Sequence, residues 1–130
     1  MEEIMPKVQY TDAKGLHQVT GAGITLARAD GTASSAAVTV NGRSGIITSE
    51  SISVSAAATA QIDVTNSLVT ADSIVIANIC DATYNENGSE GILNCQVDAI
   101  SAGSFVINLT NDGADNVSSK VVKVAYLVLT

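Results

Sequence analysis

The sequence predicts an all-β protein: an antiparallel, jelly-roll-like β-sandwich of about seven to eight strands, with an extended N-terminal arm. Three observations lead to this prediction. Apolar and polar residues alternate along much of the second half of the chain. Turn-forming Asn, Asp, Gly and Ser separate the alternating stretches. Apolar residues make up 46% of the chain and aromatic residues 3%, which predicts a thin core of small side chains between two closely packed sheets.

A change in composition near residue 45 predicts two parts. At 130 residues the chain fits one domain, and we assign residues 46–130 to the β-sandwich domain. Residues 1–45 are rich in Gly, Ala and Ser, with scattered apolar residues that follow no sustained period. Because such a segment is stabilised only by lying on another surface, we predict an extended N-terminal arm and linker over residues 1–45. A flexible piece is expected around residues 29–37.

Strand after strand is predicted from residue 46 onward. Period-two alternation directs one set of side chains inward and the other outward. It occurs in residues 51–55, 60–65 and 104–110, with Val106 as an apolar exception among the outward positions. Residues 55–60, SAAATA, are too short for a helix, and we expect them to connect two of these strands.

Two further stretches, residues 74–79 and 121–129, carry apolar residues at both the odd-numbered and the even-numbered positions, so both faces of each strand would be apolar. Strands of this kind are either central in a sheet or have a second face that meets another subunit. In the second stretch we predict that Val124, Tyr126 and Val128 form an oligomer interface. The polar loop at residues 81–91 joins two apolar strands and is expected to protrude at one end of the sandwich.

Cys80 and Cys95 flank that polar loop. The interpretation we favour is a pair of reduced, buried thiols that act as small apolar residues, since nothing in the sequence indicates an oxidising compartment. The alternative is a disulfide across a hairpin in which Cys80 lies opposite Cys95. In that register Ile76, Leu93 and Val97 share a face with both cysteines, so the sequence leaves the disulfide open.

The sequence contains few residues in patterns typical of catalytic or metal-binding sites. The single histidine, His17, lies in the arm, and no Ser stands in a nucleophile-elbow context. Residues 85–90 faintly resemble a calcium loop but lack the ligand spacing and the closing Glu that calcium needs. Two cysteines and one distant histidine do not form a zinc ligand set. We therefore predict a protein that is not an enzyme, with no catalytic residues, no metal and no cofactor.

Charge is sparse and unevenly distributed. Charged residues make up 15% of the chain, against about 25% in a typical domain, which is typical of proteins that bury surface in partners or in copies of themselves. The net charge is −7, and residues 44–119 hold nine acids and no Lys or Arg. Such a body repels phosphate backbones, so we predict no nucleic-acid partner. The longest apolar run, residues 124–129, is far shorter than the ~18 residues of a membrane span, and the acidic start, MEEIMPK, has no export signal.

Part of the sequence resembles a module of tailed-phage virion proteins. The motifs are Thr48-Ser49-Glu50 with a Ser/Ala-rich turn, V-T-N-S at residues 64–67, and A-G-S-F-x-I-x-x-x-N at residues 102–111, before a last apolar strand. The segment YTDAKGL at residues 10–16, followed by Gly-Ala-Gly at 21–23, is similar to the N-terminus of phage head decoration (cement) proteins.

The resemblance implies a β-sandwich that assembles as a homotrimer on the exterior of a virion. Our first hypothesis is a capsid decoration (cement) protein, made in the host cytoplasm, that binds and stabilises the shell of the major capsid protein. The alternative is a phage fibre-tip or receptor-binding module that recognises a host surface glycan. A fibre tip usually follows a long shaft, and this sequence has none, so we favour the first hypothesis.

In the first hypothesis the arm carries the contact with the capsid. We predict that Tyr10, Leu16, Val19, Ile24 and Leu26 bury their side chains in the capsid, each worth roughly 1.5–3 kcal/mol when fully buried. Backbone pairing around residues 7–11 would add directional hydrogen bonds to a sheet edge of the partner. The arm is also nearly neutral, unlike the acidic body, so an acidic shell would not repel it.

Overall fold

The computed structural model of the chain describes residues 7–13, 15–20, 28–82 and 91–130, with the backbone alone for residues 7, 8 and 15–20. Within these residues the regular structure is all β-strand, with no helix. In chain order the strands are β1 (Lys7–Thr11), β2 (Gly15–Thr20), β3 (Gly31–Thr32), β4 (Ala37–Thr39), β5 (Ser44–Thr48), β6 (Ile52–Val54), β7 (Thr59–Thr65), β8 (Ile74–Ala82), β9 (Leu93–Ser101), β10 (Ser104–Asn111), β11 (Val117–Lys120) and β12 (Val122–Leu129).

Eight of these strands form two four-stranded sheets. Sheet I has the strand order β3-β5-β12-β8, and sheet II has the order β4-β7-β10-β9. Neighbouring strands are antiparallel, except that β3 runs parallel to β5 and β4 runs parallel to β7. Strand β6 pairs with β11, and β1 pairs with β2 as an antiparallel hairpin.

One apolar core lies between sheet I and sheet II. Burial alternates along the central strands β10 and β12, because every second side chain of a strand points to the same face. The ring of Phe105 in sheet II lies 6.2 Å, centroid to centroid, from the ring of Tyr126 in sheet I. The predicted all-β sandwich is thereby confirmed, whereas its jelly-roll connectivity stays a prediction. Other deeply buried side chains are Val40, Ile47, Val64, Ile107, Leu109, Val117, Val122, Val124 and Val128.

The predicted alternation of inward and outward residues is confirmed in β7 and β10. Ile62 and Val64 are buried, and they lie opposite Ile107 and Phe105 of the neighbouring strand. Val106 is half-buried at an outward position, which agrees with its place as the apolar exception in the sequence. The connection predicted over residues 55–60 is formed by residues 55–58, while Thr59 and Ala60 belong to β7.

The predicted boundary at residue 45 is wrong, because residues 28–45 belong to the sandwich. Strand β3 extends sheet I and β4 extends sheet II. Ala33, Val38 and Val40 are buried in the core.

The piece predicted to be flexible, residues 29–37, forms backbone hydrogen bonds to the body. The N–H of Ala33 donates to the carbonyl of Thr48 at 2.8 Å, and the N–H of Ala29 donates to the carbonyl of Ser44 at 2.8 Å. Strands β3 and β4 are two and three residues long. Strands this short show no alternation in a sequence, so the segment resembled a linker.

The predicted hairpin between Cys80 and Cys95 is also wrong. Strand β8 is the edge of sheet I and pairs with β12, whereas β9 is the edge of sheet II and pairs with β10. The chain therefore crosses from one sheet to the other between β8 and β9. The sequence predicted that β8 and β12 are either central strands or strands with a second face on another subunit. Strand β12 is central in sheet I, whereas β8 is an edge strand.

A buried asparagine holds together the loops that follow β6, β10 and the polar loop. The side-chain amide of Asn111 donates to the carbonyl oxygens of Val54, at 3.0 Å, and Asp115, at 2.8 Å. Its Oδ1 accepts hydrogen bonds from the N–H groups of Ile92, at 3.1 Å, and Gly113, at 2.9 Å. These four bonds satisfy a side chain that has no exposed surface.

Candidate functional site

The outer face of sheet I exposes large apolar side chains. Ile74 is 59% exposed, Ile76 is 54% exposed and Leu129 is 45% exposed. Exposed apolar residues that occur singly are ordinary, whereas a contiguous group of them indicates an interaction surface. We use the name apolar stripe for the exposed Ile74, Ile76 and Leu129 together with the half-buried Ile46, Ala125 and Leu127.

The strand register makes the apolar stripe continuous. Leu127 of β12 lies opposite Ile76 of β8, and Leu129 lies opposite Ile74. On the other side of β12, Ala125 lies opposite Ile46 of β5. Side chains that lie directly opposite each other on one face have Cβ atoms about 4.5–5.5 Å apart. The pairs on the two sides of β12 therefore meet along that strand, although Asn78 lies opposite Ala125 on β8 and Ser44 lies opposite Leu127 on β5.

The stripe arises because β8 and β12 are apolar at both parities. In β12 the inward residues are Val122, Val124, Tyr126 and Val128, all buried in the core. In β8 the inward residues include Val75, which is 8% exposed. The outward residues of the two strands also include Ile and Leu, of which Ile74, Ile76 and Leu129 are exposed and Leu127 is half-buried. The sequence signal for this surface was therefore present in residues 74–79 and 121–129.

The predicted oligomer interface of Val124, Tyr126 and Val128 is wrong. These three side chains are 0%, 3% and 0% exposed, since they point between the two sheets. A residue used in the chain's own core has no surface left for a partner. The sequence pattern predicted an interface on β12, but it did not show whether the odd-numbered or the even-numbered residues of this strand face outward.

Charges of both signs border the apolar stripe. The Lys123 ammonium lies 3.3 Å from the Asp81 carboxylate, and the Arg28 guanidinium lies 2.9 Å from the Asp30 carboxylate. Exposed pairs of this kind add little to stability. They do, however, leave the border of the stripe close to neutral in a chain whose net charge is −7.

The outer face of sheet II has the opposite character. Its four strands contain no Lys or Arg, and Asp63 and Asp98 are exposed on it. Asn108 lies between Gln61 and Gln96 in a cross-strand row of amides. The two sheets thus give the molecule one apolar, charge-balanced face and one polar, acidic face.

The N-terminal end of the sandwich is anchored to sheet I. The Tyr126 hydroxyl donates a hydrogen bond to the carbonyl oxygen of Ala29 at 2.7 Å. A Cβ added to Gly42 would come within 2.6 Å of the Ala29 Cβ, and one added to Gly45 would overlap the Ala29 carbonyl group. The backbone around Ala29 therefore packs so closely against positions 42 and 45 that only glycine fits at these two positions.

Asp30 and Tyr126 have shifted pKa values at this anchor. The hydrogen bond from Arg28, followed by the one from the N–H of Ile46, lowers the pKa of the Asp30 carboxyl. Burial, and secondly the negative charge of Asp30, raises the pKa of the Tyr126 hydroxyl. Both shifts favour the protonation states that make these hydrogen bonds near neutral pH.

The predicted capsid-contact residues are described only in part. Tyr10 is 68% exposed, and Leu16 and Val19 lie in β2, where the backbone alone is described. Ile24 and Leu26 lie outside the described residues. The backbone of residues 7–11 pairs with β2 in a two-stranded hairpin, and the predicted pairing of these residues with a partner stays a prediction. The contact role of the five residues stays a prediction.

Cys80 and Cys95 are both free thiols. Cys80 lies on the outward side of β8 and is exposed, so the prediction that both thiols are buried is wrong for it; its thiol lies 3.5 Å from the Lys123 carbonyl. Cys95 points toward the core, and its burial raises the pKa of the thiol to about 11. The two side chains lie on different faces of different sheets.

No site for a small molecule or a metal emerges from the parts of the chain that the structure covers. No pocket is found among the described residues, and they contain no cluster of three or more His, Cys, Asp or Glu residues able to hold a metal ion. None of them forms a helix long and apolar enough to cross a bilayer. Much of the polar loop, residues 83–90, lies outside the described residues.

Comparison with protein-family models, with curated proteins and with solved structures finds no match to this chain. The resemblance to phage virion proteins stays a prediction based on the motifs quoted above. A functional assignment therefore rests on the surface that the fold creates.

Proposed function

We propose that this chain is a structural virion protein, a capsid decoration (cement) protein that binds and stabilises the shell of the major capsid protein as a homotrimer. The observation that carries the proposal is the apolar stripe on the outer face of sheet I. A small sandwich with one apolar face and one acidic face suits a protein that joins other proteins on one side and meets solvent on the other.

The anchor of the N-terminal segment supports the same proposal. The backbone of Arg28 forms a bridge to Ser44 at the start of β5, and Ser44 lies opposite Leu127 of the apolar stripe. The segment that precedes the sandwich thus joins it beside the stripe. An arm that binds a shell from this point would hold the sandwich with its acidic face outward.

A fibre-tip module that recognises a host glycan is the second candidate function. The observation in its favour is the amide row of sheet II, in which the buried Oδ1 of Asn108 lacks a hydrogen-bond partner. Sugar sites usually add stacked aromatic rings to such polar groups. Tyr10 is the one exposed aromatic ring among the described side chains, so the polar face by itself is weaker support than the apolar stripe.

Counting copies on purified particles separates the two functions. Quantitative mass spectrometry of virions made from the genome that encodes this chain should give a copy number of the chain close to that of the major capsid protein. A copy number on the scale of tail or fibre proteins would favour the glycan-binding module. Absence of the chain from washed particles would contradict both virion roles.

Removal of residues 1–27 tests the arm as the anchor. The cut lies before Arg28 because the sandwich begins there. Circular dichroism should still show the β-spectrum of a folded sandwich, while binding to undecorated particles in a co-sedimentation assay should be lost. If the shortened chain binds the particles as well as the full chain does, the arm is not the anchor and the sandwich itself makes the contact.

A further inference from the structure

We infer that the apolar stripe is the surface through which copies of this chain pack against one another. The inference rests on the homotrimer of the proposed function and locates its interface. The interface then consists of the outward residues of β12, because the inward residues are buried in the core. A second copy of this chain, rather than the capsid, covers the stripe.

The face is large enough for the central part of an interface between copies. The strands of sheet I are two, five, eight and nine residues long, and with a spacing of about 4.8 Å and a rise of about 3.4 Å they give a face of roughly 400 Å² in projection. The accessible surface of a layer of side chains exceeds its projection, and a specific interface takes about 800 Å² from each partner. The outer face of sheet I therefore supplies the central part of such an interface, and Ile76 and Leu127 form a cross-strand pair on it.

Charge selects this face for self-association. This chain carries a net charge of −7, so repulsion opposes contacts between copies unless the surfaces that meet carry no excess of acid. On the outer face of sheet II, Asp63 and Asp98 have no Lys or Arg in that sheet's strands to offset them. On sheet I, Lys123 and Arg28 are each paired with a carboxylate, so burial of this face between copies adds little repulsion.

The position of the stripe on an edge strand adds to this argument. Ile74 and Ile76 lie on β8, which has a neighbour on one side only among the described strands. Exposed apolar side chains on such a strand promote aggregation unless a partner covers them. Packing of three copies against one another would cover these side chains and close the assembly at a defined size.

The test removes apolar surface from the stripe while preserving the strand. In the variant Ile74→Thr/Ile76→Thr both residues stay β-branched, which favours the strand, but each gains a hydroxyl group. The matched control, Gln61→Thr/Gln96→Thr, changes two exposed residues on the outer face of sheet II. Circular dichroism and the thermal midpoint of each variant show whether the sandwich still forms.

Sedimentation equilibrium at about 50 µM, well above the dissociation constant of an interface of about 1 µM affinity, gives the mass of each full-length protein. The wild-type chain and the control should have three times the chain mass of 13.2 kDa. The stripe variant should shift to 13.2 kDa with its fold intact.

Two results would overturn the inference. The first is a wild-type chain that is a monomer, and the second is a folded stripe variant that is still a trimer. If that trimeric variant also no longer binds particles, the stripe is the surface that contacts the capsid. If the stripe variant dissociates while the chain is missing from purified virions, the interface stands and the virion function fails.

Discussion

The hydroxyl group of Tyr126 donates a hydrogen bond to the carbonyl oxygen of Ala29 at 2.7 Å. This bond joins β12 to the first residues of the sandwich, and the two bonded residues are 97 positions apart in the sequence. It also places the start of β3 against sheet I, since the N–H of Ala29 donates to the carbonyl of Ser44. The N-terminal segment therefore leaves the body at a defined place rather than from a loose end.

Tyr126→Phe should lower the free energy of unfolding by about 0.5–1.5 kcal/mol, because it removes one hydrogen bond and leaves the Ala29 carbonyl without its donor. Urea denaturation measures the change. Tyr10→Phe is the matched control and should leave stability unchanged, since Tyr10 is 68% exposed. Equal effects of the two changes would show that the bond to Ala29 adds nothing to stability.

The same bond makes stability depend on alkaline pH. Because burial raises the pKa of Tyr126 in the folded chain above the ordinary value of 10.0, its contribution is fully present below pH 10 and is lost as the pH rises through the raised value. The wild-type protein should therefore lose stability more steeply above pH 10 than Tyr126→Phe does.

Gly45→Ala should destabilise the protein by about 3 kcal/mol, the upper end for overpacking. The added Cβ would lie 2.7 Å from the carbonyl carbon of Ala29 and would overlap its oxygen. Both are backbone atoms, so the segment must move away from sheet I. Limited trypsin digestion should then cleave after Arg28 faster than in the wild-type protein. Ser44→Ala, at the preceding outward-facing position, should change neither stability nor digestion.

The turn between β3 and β4 should gain stability from a better turn sequence. Ser35 and Ala36 both have positive φ, at 52° and 58°, and two hydrogen bonds between Ser34 and Ala37 close the turn. This is the two-residue hairpin geometry that Asn-Gly prefers. Ser35→Asn/Ala36→Gly should raise the free energy of unfolding by about 1–2 kcal/mol. Ala37→Gly should lower it by about 0.5–1 kcal/mol, and a loss from both changes would contradict the strain argument.

Asn111→Ala should be among the most damaging single substitutions, at about 4 kcal/mol. It would remove the partner of two carbonyls and two N–H groups of the surrounding loops, each at about 1 kcal/mol, the lower end for unsatisfied groups, because most of these bonds are only partly buried. Asn116→Ala is the control: Asn116 is exposed and caps only the N–H of Ala56, so about 0.5–1 kcal/mol is expected. Chemical denaturation of both variants tests the ranking, which a smaller loss from Asn111→Ala would overturn.

The two thiols should react at very different rates with iodoacetamide at pH 8. The thiolate is the reactive form, and burial raises the pKa of Cys95 to about 11, so it forms little thiolate at that pH. Cys80 is exposed on β8 and should be alkylated first, with Cys95 following only after unfolding in urea. Peptide mass mapping identifies the labelled residue. A non-reduced mass lower by two protons would instead reveal a disulfide.

The sequence by itself determined the strands with clean alternation. In β7 and β10, Ile62, Val64, Phe105 and Ile107 recur at every second position, and a period of two permits only one inward set. The side chains also determined the class of fold, since small apolar residues separated by turn residues favour two thin, closely packed sheets. The outward place of Val106 followed from the same pattern.

Only the tertiary structure decided which strands are neighbours and which faces are covered. Strands β8 and β12 are apolar at both parities, so the sequence could not tell the inward Val124 from the outward Leu127. The chain between β8 and β9 crosses between the sheets, and local turn chemistry does not distinguish a crossing from a hairpin. Strands β3 and β4 are too short to show a period, and they form because edge strands of the two sheets offer them backbone partners. In each case the deciding free energy comes from contacts between residues far apart in the chain, which local patterns do not encode.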